Sequence, residues 1–356
     1  MTTPSDNKTR LLQLVDAGEV VSKLDLSGAE LIDQNLSGGI YENVHFGAAQ
    51  LAGSDLREAM FFGCDLTNAD LTRADLRRVM FVGCTLSQAV LSSARLNFAK
   101  VTESNFTGAV FDKANLTMAS FSESCFEAAD LRGAKLMQTN FVKPRIAGLD
   151  LRGAVVVQSV LLEADFGEAL LAGCRFERCV LNGGSFKKMA LTGSDFTQSQ
   201  LMNADFSGAN LRGAKLISCS FKSANLTGCT FDDADLSNAL LVEAQASHAS
   251  FRGARMNQAI LIKADLTEAD LSRTALAQAT LQHARCQRAR FTNADLTYAD
   301  FSYAALEGAE FRGARFLRTK LHNASTLGAL IDARDGILPD DAELLAAERW
   351  RPSLQA

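Results

Sequence analysis

Proline, tryptophan and tyrosine are scarce, with 4 Pro, 1 Trp and 3 Tyr in 356 residues. Histidine is as thin, at 4 residues, which leaves little material for imidazole-based metal binding or proton transfer. There is no uninterrupted apolar run of about 20 residues, so no segment reads as a membrane-spanning helix. Met1 to Arg10 is polar and lacks the apolar stretch of a secretory signal peptide, which makes the cytoplasm the expected compartment. Charge of either sign is not in excess: the formal net charge is −5. Walker loops, dinucleotide fingerprints, nucleophile elbows and HExxH are all missing. Neither a catalytic residue nor a cofactor is therefore expected.

What the chain has instead is a small alphabet, 47% hydrophobic and 22% charged, with 22 Phe and an excess of Leu and Ala. That mix belongs to an ordered chain, and a small alphabet points to repeats. From Leu26 to Leu321, steps of five residues give 60 positions, of which 53 are Leu or Phe. The exceptions are Tyr41, Val101, Ile146, Val156, Ala246, Met256 and Cys286. Two residues before each centre stands a small residue in 53 of the 60 steps, Ala in 36 of them. The residue just before the centre is Asp or Asn in 21 steps, as in Ala69-Asp70-Leu71. A period of five fits neither a helix nor a continuous strand. It does fit a short extended step, which points one large and one small side chain inward, followed by a turn.

This register closely resembles the pentapeptide-repeat family, with its A(D/N)LXX consensus, over about Leu24 to Asn323. The resemblance implies an all-β fold, a right-handed quadrilateral β-helix with four pentapeptides per coil. It would have about 15 coils and, at the spacing of paired strands, a length of roughly 70 Å. Residues 1–23 are then an N-terminal helical cap, 24–323 the solenoid and 324–356 a C-terminal tail with a capping helix.

The register also disposes of residues that invite a chemical reading. Cys64, Cys84, Cys174, Cys179, Cys219 and Cys229 occupy the small inward position and Cys286 a centre, so they read as core side chains. Cys64 and Cys84 would stack on adjacent coils, where an oxidised pair is the alternative. His45, His248, His283 and His322 all fall on outward positions with no ligand spacing, and no metal site is expected. The Asp residues are written by the repeat, their short side chains bonding turn backbone, which makes them poor evidence for acid–base chemistry. Asn35, Asn105, Asn115 and Asn225 match a glycosylation sequon only because the consensus does.

A solenoid needs its open ends covered. Ser5 or Asp6 is placed to cap a helix carrying Leu11, Leu12, Leu14 and Val15 and ending near Gly18. Pro339, Asp340 and Asp341 open a second helix with Leu344, Leu345 and Trp350, closed by Arg349, Arg351 and Pro352 and read as a lid. Midway, Pro144 and Leu149 occupy consecutive small sites, which predicts a local distortion.

With four units per coil, residues 20 apart stack into ladders. The side centred on 41, 61 and so on to 321 carries apolar flanks that should face outward: Ile40, Met60, Phe62, Met80, Val82, Val142, Val160, Leu162, Val180, Met202, Leu240, Val242, Ile260 and Ile262. An exposed apolar row marks a candidate protein interface, for self-association as a homodimer or for another protein. The side centred on 36 to 316 carries Arg57, Arg77, Arg78, Arg175, Arg178, Arg255, Arg315 and Arg318 as a candidate basic face. No aromatics interleave with these Arg residues, so direct nucleic-acid binding is not expected. The function that follows is a non-catalytic scaffold or adaptor, and the family resemblance is compatible with a bacterial secretion system or a signal-less secreted effector. The resemblance also implies an alternative, a DNA mimic acting on DNA gyrase or another topoisomerase. Near-neutral charge weighs against a mimic, which needs a dense negative surface.

Overall fold

The computed structural model of the protein describes residues 4–350. Its chain folds as two compact units, one running to Ser185 and one from Phe186, and each is a parallel β-solenoid. Between them they hold about 16 turns, with a short helix towards each terminus.

The repeat unit explains its own geometry. In a typical step the Leu26 amide donates to the His45 carbonyl of the following turn at 2.7 Å, and the His45 amide returns a bond to Leu24 at 3.0 Å. The Ala29 amide then closes a tight turn on the Leu26 carbonyl at 3.0 Å, with Gly28 between them at φ 64°. A positive φ at the third residue of a turn defines type II, and nearly every repeat uses it two residues after the centre. Position modulo five thus decides burial. The centres and small sites form the core, while the turn residues and the residue before each centre face outward to varying degrees.

In the first unit, helix α1 (Pro4–Asp16) packs on the opening turn with Leu11 fully buried, and Asn7 Nδ2 donates to the Asp25 carbonyl at 2.7 Å. Ser5 and Asp6 lie inside the helix rather than capping it. The ladder begins at β1 (Val20–Ser22), earlier than the expected limit of Leu24, because Val21 fills a centre although no small residue precedes it. Strands β2 (Ile40–Glu42), β3 (Met60–Phe62), β4 (Met80–Val82), β5 (Lys100–Thr102) and β6 (Ser120–Ser122) follow on one side. With β8 (Asn140–Val142) and β10 (Val160–Leu161) they make an eight-stranded parallel sheet in the order β1-β2-β3-β4-β5-β6-β8-β10. Strands β7 (Lys135–Met137), β9 (Val155–Val157) and β11 (Arg175–Glu177) form a second sheet. Inside, the aromatic centres stack: Tyr41 on Phe61 at 4.6 Å and Phe61 on Phe81 at 4.9 Å.

After several of these strands the tight turn bond is replaced by one to a side chain of the next turn. The Cys84 amide donates to Ser104 Oγ at 3.1 Å and the Ser104 amide to Ser124 Oγ at 3.3 Å. The Thr139 amide likewise donates to Ser159 Oγ at 3.0 Å. The next residue in the Cys84–Ser104–Ser124 row is Pro144, which has no hydroxyl to offer. There the expected distortion is seen. The row of bridges His45↔Asp65, Asp65↔Thr85, Thr85↔Asn105, Asn105↔Cys125 and Cys125↔Arg145 stops, and resumes only at Asp165↔Ser185. Pro144 is too large for the small site it fills, and the turn spreads away from its successor there, whereas the corner at Leu149 keeps its Asp150↔Leu170 bridge. A hollow of about 350 Å³ lies at the break, lined by Pro144, Arg145, Ile146, Glu163, Asp165 and Glu168 among others.

The second unit has tight turns almost throughout, and bridges such as Ala190↔Asn210 and Leu240↔Ile260 link its turns. The ladder runs beyond Asn323, as far as the Glu310↔Leu330 bridge. Strand β12 (Thr319–Lys320) then pairs with β13 (Ile337–Leu338). Helix α2 (Ala342–Arg349) is N-capped by Asp341, whose side chain accepts from the Leu344 amide at 3.0 Å. Arg351 and Pro352 lie outside the described residues.

Candidate interaction surfaces

The outward positions carry whatever function the molecule has, because the inward ones are used up by packing. Asp residues before the centres are tied to the backbone: Asp65 Oδ1 accepts the Thr67 amide at 3.0 Å, and Asp295 the Thr297 amide at 3.1 Å. All eight cysteines are buried thiols. Cys179, Cys219 and Cys229 donate to the carbonyls of Val156, Phe196 and Phe206 at 3.2, 2.8 and 2.8 Å. Burial pushes these three thiols up to about 12, so they are hydrogen-bond donors and not nucleophiles. Cys64 and Cys84 donate to the Tyr41 and Phe61 carbonyls at 3.4 Å each, and a hydrogen bond between the two side chains lowers the Cys64 thiol and raises that of Cys84. Among the described residues no cluster of His, Cys, Asp and Glu has the arrangement of a metal site, and no helix is long and apolar enough to cross a membrane.

In the first unit the apolar flanks lie on the two edges of the eight-stranded sheet. Register pairs Met60 with Met80 and Phe62 with Val82, all four half-buried. Ile40, Val160 and Val180 are half-buried too, whereas Val142 and Leu162 are exposed at 40% and 44%. In the second unit Met202, Val242, Ile260 and Ile262 are half-buried and Leu240 is exposed. The flanks tuck against the turns, leaving a partly exposed apolar surface.

The arginine row is partnered. Arg57 Nη2 meets Asp55 at 2.6 Å, Arg77 meets Asp75 at 2.7 Å and Arg78 meets Glu58 at 3.2 Å. Arg175 and Arg178 share Glu177 at 3.9 and 3.2 Å. In the second unit Arg255 pairs with Asp235 at 2.8 Å and Arg315 with Asp295 at 3.8 Å, and Arg318 lies 5.9 Å from the Tyr298 ring centre. Seven of the eight guanidinium groups expected to form a basic face thus have a carboxylate within 4 Å, and Arg318 has the Tyr298 ring instead.

The C-terminal helix differs most from expectation. Leu344 is 44% exposed and Trp350 73%, while Leu345 is half-buried, so the three do not form a buried lid. The reason is that α2 is attached by its polar edge. Glu348 accepts from the Tyr303 hydroxyl, and Asn323 Nδ2 donates to it at 3.5 Å. His322, expected to face solvent, is only 9% exposed. Its ring lies between Asp340 and Glu348 at 3.6 and 3.5 Å, with neither nitrogen hydrogen-bonded. A hollow of about 500 Å³ separates this helix from the turns, lined by Asp300, Tyr303, Lys320, Leu338 and Leu344 among others. The last turn keeps Leu327 82% exposed.

Family comparison agrees with the repeat geometry. The model described as a pentapeptide repeat region matches residues 54–124 and 169–245. The one described as pentapeptide repeats (8 copies) matches 239–276, 276–313 and 291–325. The chain belongs to the pentapeptide-repeat family. Among solved structures it is similar to the pentapeptide-repeat protein Rfr23 of the cyanobacterium Cyanothece 51142. That match has 30% identity, covers 30% of this chain and 67% of the other, and has a TM-score of 0.23. HetL of Nostoc sp. strain PCC 7120, involved in heterocyst differentiation regulation, is 24% identical over 72% of this chain and 85% of its own, with a TM-score of 0.19. QnrB1, a plasmid-mediated fluoroquinolone resistance protein, is 16% identical over 52% and 92%, with a TM-score of 0.30. No curated relative matches the chain.

Proposed function

We propose that this pentapeptide-repeat protein is a non-catalytic scaffold that binds other proteins through its outer sides. The observation that carries this reading is the flank of the first unit's sheet. There Met60, Phe62, Met80 and Val82 stand in paired register on consecutive strands, half-exposed and fixed by the backbone ladder. A surface held in place before contact loses little conformational entropy on binding, and a row of apolar side chains supplies the contact energy. The absence of catalysis is supported by where many of the reactive groups sit: thiols buried in the core, and Asp residues before the centres bonded to turn backbone or to Arg.

The reading includes self-association along this side. It is tested by changing Phe62, Val82 and Leu162 to Asp and measuring mass in solution by light scattering. A wild-type dimer that becomes monomeric supports it. A chain that is monomeric before and after, and whose affinity for its captured partners is also unchanged, removes this side from the reading. A duplex-mimic role at a topoisomerase has weaker support, because carboxylates along the arginine row are matched by guanidinium groups at short range.

A further inference from the structure

The second residue after each centre adopts left-handed backbone, a conformation that glycine accepts freely and bulky side chains resist. Across the described residues this place is filled by Gly and by many others, long ones such as Arg73, Lys113 and Tyr298 among them, with two large, wholly apolar exceptions, Phe98 at φ 63° and Met118 at φ 60°. The two exceptions fall on consecutive turns of the first unit, one above the other on the same ladder, and both are exposed, at 49% and 46%. Met137, whose carbonyl accepts the Met118 amide at 2.8 Å, is 41% exposed. What sets Phe98 and Met118 apart from the Arg, Lys and Gln residues with the same backbone is that they show large apolar side chains to water, and with Met137 they make an exposed apolar cluster of the kind that marks an interaction surface.

The surroundings define what would cover them. The ladder continues from Phe98 to Arg78, and a hollow of about 270 Å³ is lined by Arg57, Glu58, Arg77, Arg78 and Phe98. Arg57, Arg77, Arg78 and Arg95 outnumber the carboxylates they pair with, Asp55, Glu58 and Asp75, by one. The Arg78–Glu58 pair is the loosest of these, both side chains being about two-thirds exposed at 67% and 64%, so Arg78 is free to exchange Glu58 for an incoming carboxylate. Phe, Met and Arg are also the residue types that protein interfaces favour, Met because it adapts to its partner's shape.

We propose that Phe98, Met118 and Met137, with Arg78 beside them, form a docking site for an acidic segment of a partner protein. In it, an apolar side chain seats on the Phe and Met groups while a neighbouring carboxylate takes the Arg78 guanidinium. Phe62 and Val82 stand at the far ends of their strands from this corner, so its failure leaves the scaffold reading standing, and variants at those two residues keep this binding.

The test uses the full chain and two labelled peptides, one alternating Leu and Phe with Glu and Asp, the other with Lys and Arg in place of the acids. Fluorescence anisotropy should show micromolar binding of the acidic peptide and at least tenfold weaker binding of the basic one. The double change Phe98→Gly and Met118→Gly should weaken the acidic peptide at least tenfold, and Arg78→Gln alone several-fold. Because glycine relieves the backbone at both places, the double variant should melt within about 2 °C of the parent or above it. Equal binding of both peptides, no binding of the acidic one, undiminished binding by the double variant, or a clear drop in its melting temperature would each overturn the proposal.

Discussion

Arg95 reaches across one turn to place Nη2 2.6 Å from the Asp75 carboxylate, which Arg77 of its own turn also holds at 2.7 Å. Burial works to raise the Asp75 carboxyl, but the bonds from Arg77 and the charge of Arg95 outweigh it and hold it below the ordinary 3.8. Bonds from Arg57, Arg132 and Arg152 do the same for Asp55, Asp130 and Asp150. Carboxyls lowered in the folded state stabilise it fully above their ordinary value, and that stability is lost as pH falls through the lowered values. Urea midpoints should therefore hold steady from pH 7 to 5 and fall below about pH 4. Asp75→Asn should flatten the fall; a variant with the same acid profile as the parent would show that the Asp75 cluster contributes nothing.

Gly39 occupies a small inward site where Ala is the usual residue, and the Tyr41 ring is the reason. A Cβ at position 39 would land on that ring, whose hydroxyl is committed to the Leu36 carbonyl at 3.2 Å. Gly39→Ala should cost about 1–3 kcal/mol although it restores the consensus. Combining it with Tyr41→Leu should recover most of the loss, a coupling that a double-mutant cycle on denaturation free energies reads directly. Additive effects would mean that the ring has room to move.

Much of this architecture is legible in the chain because a period of five is a statement about geometry. Leu26, Phe61 and Phe311 are core by register alone, and so are Ala69 and Cys219. What the period does not encode is the difference between tight turns and strands, which rests on whether Ser104, Ser124 or Ser159 lends its hydroxyl to the amide of the previous turn. Those residues count as small, and their chemistry is hidden by that label. The outward sides were harder to read. Arg57 and Arg77 look like a basic face until the Asp two residues earlier is seen folding back onto each of them. Phe98 and Met118 do not stand out in composition, and only the recurrence of Gly at the left-handed position, as at Gly28, Gly38 and Gly53, marks where they sit. His322 counts as outward by register and is covered by α2, a contact that joins residues far apart in the chain.

The ladder breaks between residues 145 and 165, beside Pro144, and the break should show in amide exchange. The Ile146 and Asp165 amides should exchange at least tenfold faster than those of Phe126 and Cys125, which donate to Arg145 at 2.7 Å and Ser104 at 3.0 Å. Restoring a small residue with Pro144→Ala should slow the two amides towards their neighbours' rates. Slow exchange at both in the parent chain would mean that the gap is bridged in solution.

Ser159 makes the sharpest case that a small residue is not always interchangeable with Ala. Its Oγ accepts the Thr139 amide at 3.0 Å and donates to the Leu136 carbonyl at 2.6 Å, in a site with no exposure to solvent. Ser159→Ala therefore leaves a buried amide without a partner, and such an orphan costs about 1–3 kcal/mol. One turn before Ser194 the Cys174 amide already bonds the Leu171 carbonyl at 2.9 Å in a tight turn and needs no hydroxyl, so Ser194→Ala should change stability by no more than about 0.5 kcal/mol. Chemical denaturation of the two variants side by side separates the cases. Equal small effects would mean that the Thr139 amide finds water or another acceptor, and that hydroxyl ladders do not hold the strand-bearing corners together.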